Sequence, residues 1–308
     1  MKTRCETPFI SVITPTLNRA SLIERTIQSV INQGYPNYEH IIVDGMSTDG
    51  TLEILNKYKN IKTYSFKCSA TEAQNFGIDK SKGDLICFIN SDDYFLPEAF
   101  HTMGRFFSHF KDIRLFTGSF MVEEKEKIIY KAPLFHNMLD VETLVFGGTG
   151  INATFFKREI FEQFGQLRHD LKIANDRGFI AELLLGGEKS ISVPQHILVY
   201  LKHEGSGTIN NNGRLNITII QEHIKLSREL ILRTKQKRLK RFFQAWHSWE
   251  KAKEVLFHIQ KRNFKKALKH MKFFFNGKII YIFLMHSVCF YMTWKVKFNV
   301  KRKIEEFG

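Results

Sequence analysis

The chain has 308 residues, which is long enough for one large α/β domain and a smaller appendage. Its net charge of +15 is unevenly distributed: residues 1–213 carry 23 Lys and Arg against 25 Asp and Glu, whereas residues 214–308 carry 23 against 6. The basic charge belongs to the last third and does not make the rest a nucleic-acid binder. A GxGxxG turn after the first strand and a GxxxxGK[ST] loop are both absent from the sequence, which disfavours dinucleotide-binding and P-loop classes.

The cysteines and the N-terminus indicate a reducing compartment. Cys5, Cys68, Cys87 and Cys289 are far apart and form no CxxC pair, so reduced thiols are expected. Residues 1–8 are polar and contain no apolar signal-peptide core. We therefore expect a cytoplasmic location.

Apolar runs alternate with helical patterns from the N-terminus onward. The patterns predict strands at 9–14, 40–43, 61–66 and 84–90, and helices at 21–32, 51–58, 71–79 and from Pro97. Continuously apolar strands separated by helices predict a mostly parallel sheet covered on both faces. Ligands bind beyond the carboxyl ends of such strands, so the candidate site comprises the polar segments 15–19, 44–49 and 90–93.

Asp92 and Asp93 are adjacent acids that follow the fourth predicted strand. Mg²⁺ and Mn²⁺ prefer carboxylate oxygens and are typically bound by one or two carboxylates together with substrate phosphates. A solvated turn, in which one of the two acids caps the helix from Pro97, explains the same pair. The pair alone leaves both interpretations open.

Four other features have a catalytic and a structural interpretation. Asp44 could accept hydrogen bonds from a base or ribose, or it could stabilise the turn that it opens. Asp176 precedes a helical stretch, either as its cap or as a general base. His203 follows an apolar strand, either as a surface residue or as a partner of metal or phosphate. The glycine-rich segment 147–150 is either a flexible loop or part of an acceptor pocket.

Taken together, segments 10–51, 77–97, 152–165 and 175–187 resemble the inverting family 2 glycosyltransferases with the GT-A fold. The resemblance covers about residues 9–205. It implies a nucleoside-diphosphate (NDP) sugar donor, with a UDP-sugar favoured, and Mn²⁺ or Mg²⁺ as cofactor. It also implies single-step inversion onto a saccharide or lipid-linked saccharide acceptor, in surface polysaccharide biosynthesis.

Carried over position by position, the resemblance implies Asp176 as the catalytic base. The residues implied to bind the donor nucleotide are Pro15, Thr16, Asn18, Asp44, Asn75, Asn90 and Asp92. The implied metal ligands are Asp92, Asp93 and His203.

The chain departs from the family pattern at three positions. Gly45 stands where a second acid is frequent, Leu17 where an aromatic is usual, and Asn90 where an outer acid is frequent. The first departure makes a uridine donor less certain, and the last leaves metal binding to Asp92 and Asp93.

The composition change predicts a catalytic domain at 1–213, with a nucleotide-sugar half at about 1–117 and an acceptor half at about 118–213. Residues 214–308 form a basic, aromatic-rich helical region. Its run 279–294 has no formal charge, but as a helix it would span only roughly 24 Å of a roughly 30 Å bilayer core. We therefore expect region 235–303 to lie on an anionic membrane, peripheral on the inner face of the cell membrane. Packing against the catalytic domain or a second subunit is the alternative, which leaves a homo-oligomer open.

Two other functions fit parts of the sequence. A sugar nucleotidyltransferase also uses paired acids, a metal and a nucleotide, but it releases pyrophosphate. A nucleic-acid-binding protein would use the basic, aromatic-rich tail alone. The ordered motifs favour the glycosyltransferase, so we expect no nucleic-acid partner.

Overall fold

The structure, a computed structural model, describes residues 7–134, 139–146, 151–203, 205 and 216–271. The chain divides into two compact units, Met1–Leu139 with Thr149–His203, and Asp140–Gly148 with Glu204–Gly308. The predicted domain limits, including the boundary at residue 213, stay predictions. Segment 147–150, the run 279–294, Cys5 and Cys289 lie outside the described residues, and the described Cys68 and Cys87 are free thiols.

The first unit is built on one nine-stranded mixed sheet with the order β3-β2-β1-β4-β8-β6-β9-β5, and β7 pairs with β6. The strands are β1 (Ile10–Thr16), β2 (Tyr38–Asp44), β3 (Ile61–Ser65), β4 (Leu85–Phe88), β5 (Tyr94–Phe95), β6 (Leu115–Glu124), β7 (Lys127–Lys131), β8 (Thr154–Lys157) and β9 (Ser190–Leu201). Its helices are α1 (Ile23–Ile31), α2 (Thr51–Leu55), α3 (Ala70–Lys80), α4 (Ala99–His109), α6 (Glu159–Phe164) and α7 (Asn175–Leu185), with a 3-10 turn at Ile151–Ala153.

Strands β1 to β4 are mutually parallel, as predicted. β1, β2 and β4 are buried almost throughout because helices cover both faces, whereas the edge strand β3 is only partly buried. Ile42 packs on one face with Ile27 of α1, while its neighbour Ile41 packs on the other with Ala73 of α3. Successive strand residues point to opposite faces, so both must be apolar here. The fold class predicted from the sequence, α/β with a largely parallel sheet and C-terminal helices, is confirmed.

The rest of the sheet joins segments that are distant in sequence. β8 is antiparallel to both β4 and β6, and β6 runs parallel to β9. Buried aromatic rings fill the core beside these strands, including Phe95, Phe100 and Phe155, whose centroids lie 5.2–6.1 Å apart. Edge-to-face and tilted contacts at these distances are favourable beyond their area burial.

Two helices differ in extent from the prediction. α2 ends at Leu55, three residues before the predicted end, and the chain then turns into β3. α4 begins at Ala99, because Glu98 has a positive φ of 66° that an α-helix does not accommodate. Pro97 therefore lies before the helix.

The second unit is helical. It contains α5 (Val141–Phe146), α8 (Ile217–Arg233), α9 (Lys237–Gln260) and α10 (Phe264–Met271). The buried carboxylate of Glu250 on α9 accepts from Trp246 at 3.1 Å and lies 3.0 Å from His223 of α8. Across its described residues, the protein has no helix that is both long and apolar enough to span a bilayer.

Candidate functional site

The carboxyl ends of β1, β2 and β4 meet at one edge of the sheet, as parallel pairing requires. Thr16 lies beside Asp44 in register, and the Ile89 N–H donates to the Ile13 carbonyl at 3.0 Å. The three predicted segments, 15–19, 44–49 and 90–93, lie at these ends. The sheet thus brings together the loops that the sequence selected.

The loops after β1 and β2 are joined by reciprocal hydrogen bonds. The Asn18 N–H donates to Ser47 Oγ at 2.8 Å, and the Thr48 N–H donates to Asn18 Oδ1 at 2.8 Å. The Ala20 N–H donates to Asp49 Oδ2 at 3.0 Å. Asn18 has a φ of 52°, a conformation that asparagine tolerates better than most residues. The backbone N–H and the side-chain amide oxygen of Asn18 therefore hold the loop after β1 against the loop after β2.

Asp44 is fully buried, and its carboxylate organises the loop that follows β2. Oδ2 accepts from the Met46 N–H at 3.0 Å, the Ser47 N–H at 2.9 Å and Ser65 Oγ at 3.0 Å. Oδ1 accepts from Ser47 Oγ. This is the turn chemistry that the sequence left as one alternative, and a direct role in donor binding stays a prediction.

Asp92 lies beside two basic groups. Its Oδ2 is 3.0 Å from His203 Nε2 and 3.6 Å from Arg19 Nε. The three side chains are largely but not fully buried, with exposures of 14% for Asp92, 24% for His203 and 28% for Arg19. A half-buried carboxylate flanked by an imidazole and a guanidinium can bind a metal or an anionic ligand. Arg19 had no role assigned from the sequence, although it is the last residue of the selected segment 15–19.

Asp93 points into the protein. Its Oδ1 accepts from the Leu201 N–H at 3.0 Å and its Oδ2 from Asn90 Nδ2 at 2.9 Å, and the residue is 1% exposed. Burial, assisted by the adjacent Asp92, raises the pKa of Asp93 well above its ordinary value. The adjacent acids therefore have different environments. Neither acts as the cap of α4, which has no side-chain cap, so that alternative from the sequence is wrong.

A charged cluster behind the acid pair was not foreseen. Glu123 accepts from both terminal nitrogens of Arg25, at 2.8 and 3.1 Å, and from Tyr94 Oη at 2.6 Å. The Arg25 guanidinium stacks over the Tyr94 ring at 3.7 Å. The hydrogen bonds from Arg25 are the largest cause of the lowered pKa of Glu123. Tyr94 directly follows Asp93, so this cluster stabilises the turn that contains Asp92 and Asp93, which we call the acid turn.

Asp176 lies in the first turn of α7, and Asn175 anchors that turn. The Asn175 amide donates to Thr71 Oγ1 at 2.9 Å and to Gln74 Oε1 at 3.1 Å, both on α3. Asp176 Oδ1 accepts from the Arg177 N–H at 2.6 Å. Burial is the largest cause that raises the pKa of Asp176 to about 6. A carboxylate with that pKa is suited to accept a proton near neutral pH.

The other predicted donor residues differ in what they contact. The Asn75 amide is buried and bridges α3 to a following loop, donating to the Leu167 carbonyl at 2.9 Å and accepting from the Leu167 N–H at 2.9 Å. Thr16 Oγ1 is buried and has no hydrogen-bond partner among the described residues. Pro15 is half-buried at the end of β1, and Asn90 is half-buried beside Asp93. Donor binding by these four residues stays a prediction.

The described residues contain no group of three or more His, Cys, Asp or Glu side chains arranged to hold a metal ion. Asp92 Oδ2 and His203 Nε2 are hydrogen-bonded to each other at 3.0 Å and are partly exposed, so a cation could take the place of the proton between them. Asp93 is buried, and both of its oxygens accept from protein groups. Mg²⁺ and Mn²⁺ sites that use one or two protein ligands are completed by substrate phosphates and water. Asp92 and His203 therefore fit as the protein ligands of an ion that is held jointly with a diphosphate.

A model of the glycosyl transferase family 2 matches residues 11–166, half of the chain. A putative teichuronic acid biosynthesis glycosyltransferase of Bacillus subtilis, TuaG, is 39% identical over 28% of this chain and 36% of its own length. The Escherichia coli UDP-Glc:alpha-D-GlcNAc-diphosphoundecaprenol beta-1,3-glucosyltransferase WfaP is 32% identical over 48% and 64%. The poly(ribitol-phosphate) beta-N-acetylglucosaminyltransferase TarP of Staphylococcus aureus is 27% identical over 58% of each. The chain thus spans between about a third and two thirds of these relatives' length.

Two solved structures share the fold. Staphylococcus aureus TarS 1-349 in complex with UDP-GlcNAc has a TM-score of 0.61 at 15% identity, covering 87% of this chain and 92% of that one. The mannosyltransferase PcManGT of Pyrobaculum calidifontis, in complex with GDP-Man and Mn²⁺, has a TM-score of 0.58 at 17% identity, covering 96% and 84%. The first unit of this chain has a GT-A-type sheet.

Proposed function

Since this chain belongs to the family 2 glycosyltransferases, we propose that it transfers a sugar from an NDP-sugar to a saccharide hydroxyl. One observation carries the proposal: Asp92, His203 and Arg19 converge beside the carboxyl ends of the parallel strands. Ligands of open α/β sheets bind at that edge. A diphosphate there would bring negative charge to the guanidinium of Arg19, and the carboxylate of Asp92 and the imidazole of His203 would share a cation with it.

The donor is proposed to be a UDP-sugar. TarS was solved with UDP-GlcNAc, and WfaP is named for UDP-Glc, which supports uridine as the first base to test. PcManGT was solved with GDP-Man, so guanosine is the natural competitor in the same assay. The unpaired, buried Thr16 hydroxyl at the end of β1 supports a ligand next to this strand.

The cofactor is proposed to be Mn²⁺ or Mg²⁺, held by Asp92 and His203 together with the donor diphosphate. Such an ion stabilises negative charge on the departing nucleoside diphosphate. PcManGT, which was solved with Mn²⁺, supports a divalent cation. For Asp93 we replace the expected ligand role with a structural one, because its two oxygens hold Asn90 and the end of β9.

The mechanism is proposed to be a single displacement with inversion, and Asp176 is its general base. The Asp176 carboxylate takes the proton from the acceptor hydroxyl while that oxygen bonds to the anomeric carbon. The bond from the anomeric carbon to the diphosphate oxygen breaks in the same step, and its electron pair leaves with the nucleoside diphosphate. The developing positive charge resembles that of glycoside hydrolysis. General-base assistance of this kind is typically worth about 10²–10⁴-fold.

Arg19 is assigned to the leaving diphosphate. Its positively charged guanidinium lies 3.6 Å from Asp92 Oδ2, so the site has a cationic side chain beside the carboxylate. A charge-assisted hydrogen bond to a phosphate oxygen is roughly twice as strong as a neutral one. Arg19 would therefore stabilise the product side of the displacement, whereas His203 is assigned to the cation.

The acceptor is proposed to be a lipid-linked or polymer-linked saccharide in surface polysaccharide biosynthesis. WfaP and TarP are named for acceptors of these two kinds, and TuaG for teichuronic acid biosynthesis. A lipid-linked acceptor places the reaction at a membrane surface, so we propose a peripheral location on the inner face of the cell membrane.

The test is product analysis with a panel of UDP- and GDP-sugars, in the presence of Mn²⁺ or Mg²⁺. Release of a nucleoside diphosphate is expected, and it should depend on the cation. Asp92→Asn should abolish the release. The control Asp112→Asn, which changes an exposed acid after α4 that is not part of the proposed site, should not. Release of pyrophosphate would assign the protein to the nucleotidyltransferases, and equal activity in both variants would remove the proposed site.

A further inference from the structure

The long helix of the second unit presents apolar side chains to solvent. Trp249, Leu256 and Ile259 on α9 are exposed, Leu256 by 52%. They recur at spacings of seven and three residues, so they lie on one side of the helix. The opposite side of the same stretch of α9 is buried through Glu250, Glu254 and His258. Trp249, Leu256 and Ile259 therefore do not belong to the core of the unit.

The next helix repeats the pattern. Phe264, Leu268 and Met271 on α10 are exposed by 64%, 62% and 38%, at spacings of four and three residues. Ala267 is buried, and His270 lies 2.9 Å from Glu254 of α9, which shows the side by which α10 packs. The apolar side chains of α10 are therefore exposed although the helix has a packed side. We call the exposed apolar residues of α9 and α10 the apolar face.

The charge around the apolar face has one sign. Residues 216–271 contain 15 Lys and Arg and 4 Glu. Glu250 and Glu254 are buried, and the other two acids, Glu222 and Glu229, are half-buried, so no acid of this segment is fully exposed. The exposed basic residues closest in sequence to Phe264 and Leu268 are Lys261, Arg262, Lys265, Lys266 and Lys269.

A surface of this kind fits an anionic lipid bilayer better than another protein copy. Pairing two identical faces would bring the same positive charges together, which costs free energy. A polyanion such as RNA would satisfy the lysines but not the exposed leucine, isoleucine and methionine side chains. An anionic membrane supplies negative head groups for the lysines and an acyl boundary for the apolar side chains.

We propose that α9 and α10 form a membrane-binding surface for anionic phospholipid, with the apolar face entering the head-group region and the lysines contacting lipid phosphates. This assigns a specific surface to the peripheral location proposed above. Sugar transfer and membrane binding are separable properties, because this surface includes none of the proposed site residues Asp92, Asp176, His203 and Arg19. The uncharged run 279–294 is a second apolar segment in the sequence, and the experiment separates the two.

The experiment is co-sedimentation of the full chain with vesicles of phosphatidylcholine alone or mixed equally with phosphatidylglycerol. Binding should require the anionic lipid and decrease on going from about 0.1 M to about 1 M salt, as the Debye length falls from about 10 to about 3 Å. Phe264→Gln with Leu268→Gln removes apolar side chains while keeping good helix formers, and should weaken binding at least about tenfold. Lys265→Gln, Lys266→Gln and Lys269→Gln together should weaken it about a hundredfold.

The matched control is Ile128→Gln with Ile129→Gln, which removes two exposed apolar side chains from β7 in the first unit. It should bind vesicles like the unchanged protein. Release of nucleoside diphosphate in solution, without vesicles, should be the same in all variants, so a failure of membrane binding is distinguishable from a failure of the transfer reaction.

Several outcomes would overturn the proposal. They are no binding to anionic vesicles at low salt, equal binding to phosphatidylcholine alone, or equal loss in the β7 control. Unchanged binding by the Phe264→Gln, Leu268→Gln variant would also overturn it, and would assign the membrane contact to another part of the chain. Circular dichroism of each variant confirms that the helices are retained.

Discussion

Replacing Asp176 with asparagine should abolish sugar transfer and, at neutral pH, stabilise the fold. Burial raises the pKa of this carboxyl from its ordinary value of 3.8 to about 6. The ionised form is therefore less favourable in the folded protein than in the unfolded chain. Asparagine has the same shape, keeps an oxygen for the Arg177 N–H and carries no charge.

The magnitude follows from linkage between ionisation and folding. Below about pH 4 the carboxyl is protonated in both states and its ionisation contributes nothing to stability. As the pH rises through about 6, ionisation costs up to about 3 kcal/mol of unfolding free energy, and about half of that is already lost at pH 5. Because Asp176 is only partly shielded from solvent, this is an upper bound. The substitution also removes a negative charge that is favourable at the N-terminus of α7, which reduces the gain in stability by about 0.3–1 kcal/mol.

Two assays check this prediction. Urea unfolding at pH 5 and pH 7.5 should show that the stability advantage of Asp176→Asn grows with pH. In the unchanged protein, transfer should fall about tenfold per pH unit below about 6, because the base must be ionised. In Asp176→Asn, transfer should fall about 10²–10⁴-fold while donor binding is retained. A variant that keeps most of its activity, or one that is less stable by the same amount at both pH values, refutes the reasoning.

Three further predictions concern the acid turn and the sheet. Asp92→Asn and His203→Asn should each weaken cation-dependent binding of a UDP-sugar at least about tenfold in calorimetric titrations, and equal affinity would contradict the proposed ligand pair. Asp93→Ala should lower the free energy of unfolding in urea by about 1–3 kcal/mol, because the Leu201 N–H and the Asn90 amide lose their acceptor. An unchanged free energy of unfolding would count against the structural role of Asp93. Gly77→Ala should lower the melting temperature, at a cost of about 1–3 kcal/mol, because the added Cβ overlaps Ile13 Cγ2. Unchanged melting would mean that α3 can move away from β1.

The first half of the sheet could be predicted because its signals are local. β1, β2 and β4 are buried on both faces, so each contains a run of apolar residues that stands out from the amphipathic helices around it. Parallel pairing then requires that their carboxyl ends share one edge. Segments 15–19, 44–49 and 90–93 were selected by that rule, and the structure brings them together.

The second half of the sheet could not be predicted in the same way. β6 pairs with β9, and residue 115 lies beside residue 190 although 75 residues separate them. Sequence patterns indicate which residues are apolar, but not which distant strand forms backbone hydrogen bonds with a given strand. The cluster of Arg25, Tyr94 and Glu123 was missed for this reason, since its members come from α1, β5 and β6.

The sequence by itself determined the family, the α/β class and the acids at the strand end, because short-range patterns and ordered motifs encode them. Only the tertiary structure decided how the two adjacent acids differ. Asp92 lies beside His203 and Arg19, whereas Asp93 is buried against Asn90 and Leu201. Apart from the local Asn90, these partners come from the ends of β1 and β9 and the residues that follow them, which the folded sheet brings to Asp92 and Asp93. Neighbours in sequence thus have unlike environments, because environment depends on which distant strands the chain folds beside them.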